Sequence, residues 1–222
     1  MEERRLRKDE HIENYLKSES LTNSLLDDIY IEHNALGNLS LDEIDTSIEF
    51  LGKKITMPLM VNAMTGGGEA GCDINEDLSS ICESVGIPMA VGSEAIAIDD
   101  EESRDAFTLM KDKELIKIGN LGSERSLEDF IFARDLIKAN AMQVHLNIAQ
   151  ELVMPEGDRD FRKLDENIKN LVENFDLPII VKETGSGISK KVAQKLMTMG
   201  VKYIDVAGKG GTNFIEIEDL RD

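Results

Sequence analysis

Six short, mostly apolar runs recur along the chain, and an amphipathic stretch follows most of them. The runs are PLMVNAM (58–64), PMAVGS (88–93), LIKIGNL (115–121), MQVHLN (142–147), PIIVKE (178–183) and KYIDVAG (202–208). Each has the length of a strand and is apolar on both faces, the pattern of a parallel sheet covered by helices. Between them apolar residues recur at helical spacing. Ile74, Leu78, Ile81 and Val85 lead to a stop at Gly86. Ser126 caps a helix with Asp129 at its third position, followed by Phe130, Ala133 and Ile137. Phe161, Leu164, Ile168, Leu171 and Phe175 form a third stripe. Ser189 caps a fourth, which runs through Val192, Leu196 and Met199 to Gly200.

The repeat is roughly 25 to 35 residues, the size of a β/α unit. Repeat count alone fits either an open doubly wound sheet or a barrel. Polar residues decide for the barrel. The 65–68 turn, Ser93, Asn120, Asn147, Lys182 with Glu183, and the 208–212 loop all stand at or just past strand C-termini. A doubly wound sheet would gather such groups at one switch point. The fold expected is therefore α/β, a TIM (β/α)8-type barrel that is incomplete, with about six β/α units present. Two regions are expected: residues 1–57 as an N-terminal extension bearing a basic segment, and residues 58–222 as a partial barrel of strands 1–6. The extension should hold a charged helix near 11–18, a strand at 29–36, and a hairpin pairing 48–51 with 54–56.

Charge narrows the function. The 222 residues carry 44 acidic and 25 basic side chains, a net charge of -19. Such a surface repels nucleic acid and anionic membrane. An anionic ligand could still be held by a local cluster of cations, and the densest is RRLRKDEH, with Arg4, Arg5, Arg7, Lys8 and His11. It reads either as a solvated terminal helix or as an anion clamp. Cys72 and Cys82 lack metal-site spacing and read as free thiols. The N-terminus has no apolar core of a signal peptide, and no run approaches a membrane span. A cytoplasmic protein is expected.

Other motifs are ambiguous singly. MTGGG (64–68) could bring backbone N–H groups against a ligand or serve as a plain turn. In HLNIAQE, strand alternation places His145 and Asn147 on one face, with Gln150 and Glu151 in the loop above, and a carboxylate there suits Mg²⁺. Lys182 reads equally as a Schiff-base nucleophile, a cation beside a cofactor, or half of a buried ion pair.

Taken together, RKDEH (7–11), AMTGG (63–67), VGS (91–93), HLNIAQE (145–151), VKETGSGIS (181–189) and DVAGKGGTNF (205–214) resemble the type 2 isopentenyl-diphosphate isomerase family. The resemblance implies a barrel holding reduced FMN at its strand C-termini, with Mg²⁺, NADPH as the reductant, and a homo-oligomer that interconverts isopentenyl and dimethylallyl diphosphate. By matching position, Arg7, Lys8 and His11 would bind the substrate diphosphate. Ala63, Met64, Thr65, Ser93, Asn120, Lys182 and Thr212 would hold FMN. Gln150 would face the substrate's hydrocarbon end, Glu151 would bind Mg²⁺, and His145 and Asn147 would support the reacting groups. Gln150 is neutral at ordinary pH, which favours the reduced flavin as the acid–base group.

Two departures stand out. Many family members read GSQR where this chain has Gly92, Ser93, Glu94 and Ala95. The final strands that grip the FMN phosphate do not follow, so weak FMN binding and association through open sheet edges are expected. The rival readings are another FMN-dependent barrel oxidoreductase acting on a 2-hydroxy acid, a Schiff-base lyase, and an inactive barrel remnant.

Overall fold

A computed structural model describes residues 2–18, 28–208, 210 and 212–221. It opens with helix α1 (Glu2–Lys17), which starts well upstream of the charged helix expected at 11–18. The side chain of Arg4, and residues 209 and 211 of the 205–214 loop, lie outside what is described. Antiparallel strands β1 (Ile48–Phe50) and β2 (Lys53–Ile55) follow, with Ile48 opposite Ile55. Leu51 and Gly52 join them at φ 50° and 74°, the left-handed pair a tight hairpin turn needs. The strand expected at 29–36 is absent. Tyr30, Ile31 and Leu36 are 83–89% exposed, and the segment has no ladder partner among the described residues. Apolar–polar alternation makes a strand only where another strand and a core face receive it.

Five parallel strands form the main sheet: β3 (Met89–Ala90), β4 (Lys117–Gly122), β5 (Ala141–Leu146), β6 (Ile179–Glu183) and β7 (Tyr203–Asp205). Each pairs with the next in sequence, without the reversal of a doubly wound sheet. The expected first stave, at 58–64, makes a single parallel bridge between Val61 and Met89. Its backbone is diverted on one side by a turn from Leu59 N to Met57 O, and on the other by the Asn62 side chain, which accepts from Ala63 N.

The sheet is curled. Asn62 stands beside β3, whereas Asp205 lies on β7, so a flat sheet would hold them several strand spacings of ~4.8 Å apart. Instead Asn62 Nδ2 donates to Asp205 Oδ2 at 2.6 Å. Gln143 Nε2 on β5 donates to Asn62 Oδ1 at 2.8 Å, which puts all three inside the curl. The architecture is an incomplete β/α barrel.

Alternation along the strands sorts the rest. Met142, Val144 and Val181 point outward into a core with Leu121, Phe130, Ile168, Leu171 and Leu196. These last residues come from β4 and from helices α5 (Leu127–Ile137), α7 (Leu164–Asn174) and α8 (Lys190–Thr198). Inward, Ile118, Ala141 and Ile180 pack with Ile55 of the hairpin. Above this apolar layer, register sets Gly122, His145, Lys182 and Asp205 at one level across four strands.

Helix ends follow local chemistry. Ser126 accepts from Asp129 N and Asp129 returns a bond to Ser126 N, a capping box at the start of α5. Ser189 caps α8 by accepting from Val192 N. Helix α2 (Glu69–Val85) stops at Gly86, φ 79°. Its buried face is not the expected stripe, for Ile81 and Val85 are exposed while Asn75, Ser79 and Cys82 are buried. The polar reach of Asn75 to Thr65 and to Ala106 O fixes that rotation. Helices α3 (Ala95–Asp99), α4 (Asp105–Thr108), α6 (Ile148–Val153) and α9 (Phe214–Asp219) complete the set. Among the described residues no helix is long and apolar enough to cross a membrane.

Candidate active site

At the C-terminal ends of the strands lies a cavity of about 790 Å³. Arg7, Lys8, His11, Ala63, Met64, Ser93, Asn120, His145, Asn147, Gln150, Glu151 and Lys182 line it. These come from α1, the first unit, the turn after β3, β4, β5, α6 and β6, so segments far apart in sequence share one mouth. Thr65 and Thr212 do not line it. The Thr65 hydroxyl donates to Asn75 Oδ1 at 2.9 Å, and Thr212 Oγ1 lies 3.8 Å from Met64 Sδ.

The floor is the polar level of the sheet. His145 is partly buried, and its neutral ring donates from Nδ1 to Asn120 Oδ1 at 3.0 Å. Burial, aided by the positive charges of Lys182, Lys8 and Arg125, pushes its pKa down to about 3. It is a neutral hydrogen-bonding group at any ordinary pH, with Nε2 left as acceptor. Lys182 Nζ donates to Glu183 O at 2.8 Å. Burial lowers its pKa, while Asp205 and Glu183 oppose the shift. Glu183 itself accepts from the backbone N–H groups of Gly185, Ser186 and Gly187, which fixes the turn above β6.

The wall is α6. Asn147 starts it, and Gln150 and Glu151 lie in its first turns rather than in a loop as expected. A helix holds them at fixed spacing, which a loop would not. Asn147 Nδ2 donates to Glu151 Oε1 at 2.7 Å, and Asp158 N donates to Glu151 Oε2 at 2.8 Å. Glu151 is thus oriented on both oxygens. Among the described residues no cluster of three or more His, Cys, Asp or Glu could hold a metal. Glu151 could anchor a divalent ion only if ligand oxygens and water completed its shell, as Mg²⁺ commonly permits.

The lid is α1. Arg7 Nη1 donates to Glu156 at 3.0 Å, and Arg7 Nε is buried without a partner. Arg5, from the same basic run, turns away and clamps Asp100 at 2.5 Å and Glu102 at 2.7 Å. The run therefore divides into a structural tie and a cavity-facing part. The glycine run serves packing: a side chain at Gly68 would strike the Asp9 carboxylate, and Gly67, φ 87°, lies against Ile96.

Several groups in or behind the cavity were not legible in the sequence. Glu218 of α9 is buried at the centre of a polar knot, 2.9 Å from His11 Nε2, 2.8 Å from Gln150 Nε2 and 2.5 Å from Arg221. Burial alone would raise its pKa, but His11, Arg221 and Gln150 together hold it down at about 2. Phe214 stands edge-on to His11 with ring centres 5.8 Å apart. In the sequence, only the one-turn spacing of Glu218 and Arg221 hints that these two charges pair. Glu94 is fully buried, and its Oε2 accepts from Asn120 N at 2.9 Å. Its Oε1 has no partner, and burial raises its pKa to about 8. Arg125 also lines the cavity, from the turn after β4.

These groups fit a planar heterocycle with an anionic tail. Ala63, Gly92, Ser93 and Ala95 give a wall of small side chains, while Asn120, His145 and Lys182 offer convergent polar atoms.

No family model matches the chain. Curated relatives do. Over 218 residues, 97% of this chain and 61% of the relative, it is 41% identical to a Bacillus pumilus protein named isopentenyl-diphosphate delta-isomerase. Proteins of the same name from Staphylococcus saprophyticus and Moorella thermoacetica are each 39% identical, over 98% and 97% of this chain and 63% and 62% of their own length. The fold resembles a mandelate oxidase with an FMN adduct (TM-score 0.56, 16% identity, 96% of this chain and 64% of that one). It also resembles an (S)-mandelate dehydrogenase (TM-score 0.58, 12% identity, 91% and 70%). By sequence, the chain is a relative of the isopentenyl-diphosphate delta-isomerases, matched over nearly all of its own length and about three-fifths of theirs.

Proposed function

We propose that this site belongs to an isomerase of the type 2 class, which interconverts isopentenyl and dimethylallyl diphosphate with reduced FMN and Mg²⁺. One observation carries the reading. A cation-bearing helix, a carboxylate-bearing helix and the polar ends of β4, β5 and β6 face one cavity, in a chain about 40% identical to proteins of that name.

Arg7, Lys8 and His11 would bind the diphosphate, through charge-assisted bonds from α1. Glu151, already oriented by Asn147 and Asp158 N, would hold Mg²⁺ against the diphosphate oxygens. Ala63, Met64, Ser93, Asn120 and Lys182 would hold FMN, with Thr65 and Thr212 behind or beside that wall. His145, neutral and bonded to Asn120, would keep the Asn120 amide in one orientation. Gln150 would face the hydrocarbon end. The ionised Glu218 takes one Gln150 N–H, which fixes the amide and leaves its carbonyl to the cavity. Glu218 has no proton to give near neutral pH. When bound, reduced FMN supplies the acid–base group that the side chains at that end lack.

NADPH is the reductant of this reading. Both cysteines are free thiols, which supports a reducing, cytoplasmic setting. The exposed Tyr30, Ile31 and Leu36 support association into a homo-oligomer. A Schiff-base role for Lys182 is disfavoured, because its ammonium is held by Glu183 O beside Asp205.

The test is turnover. The full chain, saturated with dithionite-reduced FMN and Mg²⁺, is given isopentenyl diphosphate, and product is followed by proton NMR. Formation of dimethylallyl diphosphate, lost in Glu151→Gln, is expected. A folded chain that forms none at saturating FMN overturns the proposal.

A further inference from the structure

We propose that Arg125 is a further anion-binding cation of this cavity, acting on the diphosphate from the turn after β4 rather than from α1. The proposal rests on the diphosphate reading of the cavity and adds a residue to it.

The cations lining the cavity differ in how far they are already committed. Arg221 meets Glu218 at 2.5 Å, Glu156 at 3.0 Å and Glu10 at 3.4 Å. Arg7 is bonded to Glu156 at 3.0 Å through Nη1, with its Nε unpartnered, and Lys182 is bonded to Glu183 O at 2.8 Å. Arg125 has only long ion pairs: 3.5 Å to Glu124, 3.6 Å to Asp99 and 4.0 Å to Asp129. All exceed the 2.7–2.9 Å of a charge-assisted bond. Its side chain is 22% exposed, so the donor fork stays open to the cavity, without a short acceptor among the described residues. A guanidinium fork in that state matches an entering phosphate oxygen pair without first breaking a short ion pair.

Backbone geometry fixes where it stands. Arg125 N donates to Gly122 O at 3.2 Å, closing the turn at the end of β4, and Ser126 then caps α5. The residue is thus held between a strand end and a helix start on the cavity rim. Ala95 on the same lining is short and leaves the guanidinium room. The charge reaches the cavity floor, since Arg125 joins Lys182 and Lys8 in disfavouring the charged form of His145. The surrounding acids serve as a loose holding set. An anion would compete with them for a donor fork they do not engage at bonding distance.

Titration calorimetry of the full chain with inorganic diphosphate and MgCl₂ tests this, with circular dichroism to establish folding. Arg125→Gln should weaken binding about tenfold and flatten the dependence of affinity on salt, and Arg125→Lys, which keeps the charge and loses the fork, should weaken binding less and leave the salt dependence as in the parent. Arg134, committed at 2.7 Å to Asp176 and 2.8 Å to Asp135 on the surface, supplies the control, and Arg134→Gln should leave binding unchanged. If Arg7→Gln weakens binding while Arg125→Gln and Arg125→Lys match the parent, the role of Arg125 is overturned and the diphosphate reading survives. If the parent chain binds no diphosphate, or Arg7→Gln has no effect, both are overturned. Should Arg125→Gln fail to fold, the folded Arg125→Lys decides: parent-like affinity overturns the proposal, and a severalfold loss supports it.

Discussion

Asn62 and Asp205, on the first and last units of the chain, meet in a hydrogen bond of 2.6 Å. The bond closes the inside of the curl, and Gln143 joins it at 2.8 Å through the other Asn62 atom. Because Asp205 shares a register level with Lys182 and His145, the same bond sets the floor of the cavity. Asn62→Ala would leave Asp205 and the Gln143 amide without that partner. The expected cost is about 1–3 kcal/mol. Urea unfolding monitored by circular dichroism reads it, and an unchanged midpoint would mean that the curl does not depend on this contact.

Glu218 predicts a specific acid sensitivity. Its pKa falls from an ordinary 4.5 to about 2 in the folded chain. A depressed carboxylate stabilises above its unfolded value, and that contribution fades as pH falls from about 4.5 through 2. The parent should therefore lose stability in that window, by on the order of 3 kcal/mol from this residue. Glu218→Gln should begin less stable at pH 7 and lose less on acidification. Parallel pH–stability curves for the two proteins would contradict the assignment.

Glu94 predicts the opposite. Its pKa rises from an ordinary 4.5 to about 8. The folded state holds a proton that the unfolded chain releases, so stability is full below about 4.5 and declines as pH rises to about 8. Glu94→Gln keeps the shape and cannot ionise. Its melting temperature should draw ahead of the parent's between pH 5 and 8.5 by several degrees, a few kcal/mol in a domain of this size, and then hold steady. A constant offset across that range would show that Glu94 is charged in the fold.

Ser126→Ala removes the α5 cap bond to Asp129 N. About 1 kcal/mol of stability should go with it, with little change in ligand affinity because Ser126 does not line the cavity. Denaturant midpoints and diphosphate titrations measured together separate the two effects.

What sequence reveals here is what local chemistry decides. The Phe130–Ala133–Ile137 stripe and its serine cap are buried and bonded as their spacing implies, since a helix needs only its own residues to form that face. The five strand runs from 88 onward form a ladder in sequence order because each is largely apolar on both faces and follows a helix that returns the chain beside the previous strand. Alternation at 29–36 misleads, because no strand among the described residues takes it up. Ile81 and Val85 mislead because Asn75, a polar residue, fixes which side of α2 turns inward. In the cavity, the motif residues of α1, β5 and β6 were legible as types. The knot around Glu218 was not, for its charge is balanced by His11 and Arg221, and only the fold brings His11 near. The burial of Glu94 was equally hidden, since a glutamate in a loop reads as solvated.

Convergence of distant segments on one ligand site is the central claim, and hydrogen exchange tests it most directly. The full chain is compared with and without saturating reduced FMN, Mg²⁺ and isopentenyl diphosphate. The account predicts joint slowing of exchange in peptides spanning 5–11, 92–95, 120–125, 147–151 and 182–184, with the surface of α7 unaffected. Exchange that is unchanged in those segments, or slowed in only one of them, would contradict it.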